Sequence, residues 1–109
     1  MTRGVQQRIT DILDAIERCR RYADLLDVDD DLLAQMAQDA VERTLQIVGE
    51  AASHLPTSFT AARPEVNWAA IRGFRNILVH EYFHLDHKTV RDVITAHLAP
   101  LAEALRQTP

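Results

Sequence analysis

Apolar residues recur at steps of three and four along almost the whole chain, in four successive segments. At about 100° per residue such a spacing gathers them on one side of an α-helix, and a strand with its two-residue period cannot use it. The first segment runs from about Arg3 to Leu26, with Val5, Ile9, Ile12, Ile16, Cys19, Ala23 and Leu26 in one stripe. An acidic turn, Val28 to Asp31, follows. Asp29 or Asp30 can cap a second helix that reaches about His54 and stops before Pro56. Its apolar residues, from Leu33 and Met36 through Val41, Leu45 and Val48 to Leu55, cover nearly half its circumference. That width predicts a central helix with several neighbours. A loop over Pro56 to Val66, with one helical turn around Phe59, leads to Asn67, the expected N-cap of a third helix from Trp68 to about Phe83. Leu85 and Asp86 break it, and Asp86 caps a fourth carrying Val90, Val93, Ile94, Leu98, Leu101 and Leu105. Pro100 lies inside that last helix and predicts a kink.

Only three glycines and four prolines interrupt the 109 residues, and good helix formers dominate. The expectation is one all-α domain over residues 1–109, an antiparallel bundle of four long helices with a short extra one. Cys19, the sole cysteine, excludes an internal disulfide and falls in the apolar stripe, where a thiol is buried and inert. No signal-like or membrane-spanning stretch is evident, so the expected location is cytoplasmic, away from membranes.

The net charge of −4 argues against a protein that coats nucleic acid, because phosphate binding is driven by Lys and Arg. It permits a focused site. Eleven of the twelve basic residues are Arg, the better phosphate fork.

The third segment departs from the pattern. Trp68, Ile71, Phe74, Leu78, Val79 and Tyr82 share an apolar arc, and Arg75 projects into the middle of it. A guanidinium keeps its charge, so Arg75 must either snorkel past the apolar rim or meet a carboxylate, a second chain or a ligand. Glu50, at the edge of the second helix's arc, is one such carboxylate. Arg72, Asn76 and His80 form a polar ridge beside the arc. On an ideal helix Arg75 and His80 stand about 140° apart. They converge only if the helix loosens after Val79 or a second subunit completes the cleft, which predicts a homodimer.

Arg75-Asn76-Ile77-Leu78-Val79-His80-Glu81-Tyr82 resembles the Arg, four residues, His, one residue, Tyr signature of the HepT-like HEPN ribonuclease toxins. The segments Ile47-Val48-Gly49-Glu50-Ala51-Ala52 and Pro64-Glu65-Val66-Asn67-Trp68 resemble the same family, as does the fourth helix. The resemblance implies a HEPN-like fold and a metal-independent endoribonuclease, acting on tRNA or mRNA without a cofactor at a site shared by two protomers. It implies a partner as well, a minimal nucleotidyltransferase antitoxin of the type VII kind that transfers AMP to the motif tyrosine, in a complex larger than the dimer if both bind. Carried over, Arg75 stabilises the scissile phosphate, His80 is acid or base, Asn76 orients one of them and Tyr82 accepts AMP; Arg72 on the polar ridge and Glu50 at the edge of the second helix's arc are supporting candidates from their positions on the helices. RNA supplies its own 2′-hydroxyl nucleophile, so proton transfer and charge stabilisation suffice.

Two other readings compete. His80-Glu81-Tyr82-Phe83-His84 has the H-E-x-x-H form of zinc hydrolases, with Glu103 or His87 as a further ligand. A helical partner module of a nucleotidyltransferase without catalytic activity is the second.

Overall fold

A computed structural model describes residues 3–108, and within them the chain is helix and loop with no strand. Helix α1 spans Val5–Ala23, α2 Asp31–Ser53, the short α3 Thr57–Ala61, α4 Trp68–Ile77 and α5 His87–Arg106. Between α4 and α5 the helix does not stop at Ile77 but widens into a π-helical turn over Leu78–Tyr82. The four long helices and the extra turn near Phe59 match the pattern of apolar residues in the sequence.

The starts of α2, α4 and α5 and the end of α2 each have a local cause. The Asp30 side chain accepts the Leu33 N–H at 3.0 Å and starts α2. Asn67 takes the Ala70 N–H at 3.1 Å and starts α4. Asp86 accepts both the N–H and the hydroxyl of Thr89 at 2.8 Å, and these hydrogen bonds hold its carboxyl below the usual range. At the end of α2, a ring nitrogen of His54 donates to the Glu50 carbonyl at 2.8 Å. α5 runs through Pro100, which removes the donor that would have met the Ala96 carbonyl.

α1 and α2 form the most extensive pair, α4 packs on the far side of α2, and α5 closes the bundle against α1 and α4. Ile12, Ile16, Val41, Val48, Phe74, Leu98 and Leu101 meet in the interior, each at most 1% exposed. Burial of such side chains contributes roughly 1.5–3 kcal/mol apiece before conformational entropy is set against it. Cys19 is fully buried, and burial pushes its thiol above the ordinary value, as an inert core cysteine requires. Arg63 fastens the approach to α4. Its guanidinium lies 3.5 Å above the Phe59 ring and donates to the Thr108 hydroxyl, while its carbonyl accepts the Trp68 indole N–H at 3.2 Å.

The two glycines inside helices, Gly49 and Gly73, differ in what surrounds them. A Cβ on Gly49 would lie 3.1 Å from the Arg72 carbonyl oxygen, whereas one on Gly73 would meet nothing within 4 Å. Gly49→Val should therefore force α2 from α4 and cost about 1–3 kcal/mol. Gly73→Ala should gain about 0.5–1 kcal/mol by relieving a mid-helix glycine. Urea denaturation of both variants checks the pair, and equal effects at the two sites would contradict the close crossing.

Candidate functional site

The close approach at Gly49 has a second consequence. Beside it, α2 and α4 diverge and leave a cleft of roughly 510 Å³. Leu45, Gln46, Gly49, Glu50 and Ser53 line it from α2, and Arg72, Arg75 and Asn76 from α4. Most of these side chains are polar, and two are arginines.

Arg75 has found a carboxylate. Its Nη2 donates to Glu42 Oε1 at 3.0 Å and its Nη1 to Asn76 Oδ1 at 3.0 Å. The guanidinium is thus held from two helices, with the Arg75 and Glu42 side chains 41% and 22% exposed. Glu50, the partner expected from the sequence, is not the one used. Gly49 faces Arg72 and Glu42 faces Arg75, so the two helices run antiparallel. Glu42 therefore lies opposite Arg75, and Glu50 falls two turns away at the other end of the cleft, near Ser53. Asn76 accepts a hydrogen bond from Arg75, and among the described residues none joins it to His80. Arg72 is exposed and lines the same cleft.

The helix does loosen, after Ile77, two residues before the point expected from the sequence. The Phe83 N–H donates to the Leu78 carbonyl at 3.0 Å, an i to i+5 bond. A wider turn advances each residue by less than the 100° of an α-helix. His80, exposed in the middle of that turn, is brought back over the ridge of Asn76. The turn closes only part of the separation, and His80 does not line the cleft that holds Arg75. Tyr82 is partly buried, with its ring packed against the core.

The remaining histidines have other surroundings. His97 stacks on Phe74 with ring centroids 4.1 Å apart and planes 4° from parallel, and its Nδ1 lies 3.2 Å from the Val93 carbonyl. It supports the back of α4. His80, Glu81 and His84 gain no third ligand, for among the described residues no three His, Cys, Asp or Glu side chains are gathered to hold a metal ion. No helix among them is long and apolar enough to cross a membrane.

Sequence reasoning missed Glu42, Gln46 and Ser53. Their signal was present: Glu42, Gln46, Gly49 and Ser53 follow one another at three- and four-residue steps and so form one ridge of α2.

The family model described as "Ribonuclease HepT-like" matches residues 12–108. The chain is similar to a Thermococcus cleftensis protein named "Probable ribonuclease HepT", with 34% identity over 98 residues, 86% of this chain and 89% of that one. It is also similar to "Putative RNase MJ1380" of Methanocaldococcus jannaschii, with 33% identity over 85 residues and 78% of each chain. No solved structure matches.

The Glu42–Arg75 pair is open to water, so its worth should be small. In a double-mutant cycle of Glu42→Ala and Arg75→Ala, urea denaturation should give a coupling of about 0.2–1 kcal/mol. A cost of about 3 kcal/mol or more for Glu42→Ala alone would mean that Arg75 is effectively a buried charge.

Proposed function

The chain belongs to the HepT-like ribonuclease family, and from that membership we propose that it is a metal-independent endoribonuclease acting as the toxin of a toxin–antitoxin pair. The observation that carries the catalytic part is an arginine held ready at a polar cleft, with an exposed histidine on the next turn. In this reading His80 takes the proton of an RNA 2′-hydroxyl, whose oxygen attacks the adjacent phosphorus. Arg75, with donors left over from Glu42 and Asn76, binds the charge that builds on the phosphoryl oxygens. The bond to the 5′-oxygen breaks, and the protonated imidazole returns a proton to it. The products are a 2′,3′-cyclic phosphate and a 5′-hydroxyl, on tRNA or mRNA substrates.

The active form is a homodimer. Two observations support this. His80 of one copy lies outside the cleft holding its own Arg75, and α2 exposes Leu32 and Met36, 67% and 59% accessible, on the outside of the bundle. A second copy can cover that apolar surface and complete the site.

Control falls to a small nucleotidyltransferase partner. The Tyr82 hydroxyl attacks the α-phosphate of ATP, pyrophosphate leaves, and the adenylate adds bulk and negative charge near Arg75.

Purified protein should cut RNA in the presence of a chelator. Arg75→Ala should lower the rate about 10²–10³-fold and His80→Ala about 10²–10⁴-fold, both with unchanged helical circular dichroism. Undiminished cleavage by either folded variant would sink the assignment. Sedimentation should give a dimer at working concentration, and an active monomer would refute the shared site. Tyr82→Phe should stay toxic and escape modification. Co-expression with the nucleotidyltransferase should add the mass of an adenylate to the Tyr82 peptide, and full neutralisation without that mass would mean that the antitoxin acts by binding alone.

A further inference from the structure

The α2–α4 cleft is larger than phosphate chemistry alone requires. Its roughly 510 Å³ extend from Arg75 and Asn76 past Arg72 to Glu50 and Ser53. Along α2 the lining runs from Leu45 to Ser53, eight residues or about 12 Å. That is the length scale of one nucleotide with its base extended. Two charges of opposite sign line this far part, Arg72 and Glu50, and among the described residues they form no ion pair with each other. The Ser53 hydroxyl spends its proton on the Glu50 carbonyl at 2.7 Å and is left as an acceptor. The cleft thus offers cationic donors from Arg75 through Arg72, and its far part adds the acceptors of Glu50 and Ser53.

We propose that this cleft binds the nucleotide next to the scissile phosphate and selects guanine there, with Arg72 and Arg75 on the phosphates and Glu50 reading the base. The proposal rests on the ribonuclease reading above and adds a substrate preference to it. A carboxylate only accepts hydrogen bonds. Guanine presents two adjacent donors on its Watson–Crick edge, N1–H and the N2 amino group, and a carboxylate takes both at once. Adenine and cytosine present one amino group each beside an acceptor nitrogen, and uracil presents a single N–H between two carbonyls that a carboxylate repels. Bases in single-stranded RNA are free to offer that edge. Gln46, one turn before Glu50 on α2 and exposed, is placed to take the guanine O6 with its amide N–H.

The test has one arm that needs no catalysis. Nitrogen-15 heteronuclear spectra of the full chain, titrated with 3′-GMP, 3′-AMP, 3′-CMP and 3′-UMP, report binding at residues 45–53 and 72–76. 3′-GMP should bind at least about tenfold more tightly than 3′-UMP, the discrimination expected of a bidentate base contact. Glu50→Gln should erase that preference, since an amide offers one donor and one acceptor and pairs as well with the edges of adenine, cytosine and uracil as with that of guanine. Glu50 is exposed, so the variant should fold. In the second arm, oligonucleotides that differ only in the base beside the scissile bond are cleaved by both proteins, and relative kcat/KM should follow the same order. Equal affinity for all four nucleotides, or a preference that Glu50→Gln leaves intact, overturns the proposal. If that happens while cleavage still requires Arg75 and His80, the ribonuclease reading survives. If cleavage ignores Arg75 and His80, that reading fails whatever the nucleotides do.

Discussion

Everything about the site depends on how closely α2 and α4 cross at Gly49. There the Arg72 carbonyl comes so near that a Cβ would sit 3.1 Å from it. A larger side chain would hold the helices apart and separate Glu42 from Arg75. The crossing also sets the register of the two antiparallel helices. One consequence is the pair at 3.0 Å that holds the guanidinium. The other is the cleft, which opens where the helices part.

Arg75 solves a conflict that its position creates. Its neighbours, Ile71 and Phe74 on α4 and Leu78 in the π-helical turn, are buried, so its stem follows them toward the core. Its head stops at the rim, where Glu42 and Asn76 use two of its donors and water reaches the rest. A guanidinium held this way has lost little of its capacity to bind an anion and much of its freedom to move, which is the state a phosphate site needs. The π-helical turn immediately after it has a comparable effect on His80, swinging the imidazole toward the polar ridge at the cost of one regular helical turn. Irregular helix next to chemistry-bearing side chains fits membership of a ribonuclease family.

The acidic charge of the chain and its proposed substrate are compatible because Arg72 and Arg75 share one cleft, while Arg3, Arg18, Lys88 and Arg91 are paired with aspartates. Two guanidinium groups lining one concave site focus the attraction for phosphate there.

The sequence by itself determined the helices, their caps and the residues at risk of being functional. Those are local matters: a 3.6-residue period, an Asn or Asp before an apolar run, a charge inside an apolar arc. Asp30, Asn67 and Asp86 could be read as caps because a side chain three residues from an N–H has little choice of partner. Arg75 stood out for the same reason, as a charge where its own helix offered none to meet it. Its partner was not legible. Glu42 and Glu50 lie on neighbouring ridges of one helix, and only the register of α2 against α4 separates them. Register is a property of two packed surfaces, fixed here by a glycine touching a carbonyl 23 residues away in the chain. The π-helical turn belongs to the same class. Its place is set by the burial of Leu78 and the packing of Tyr82 and Phe83 on the core, which no period within the segment encodes.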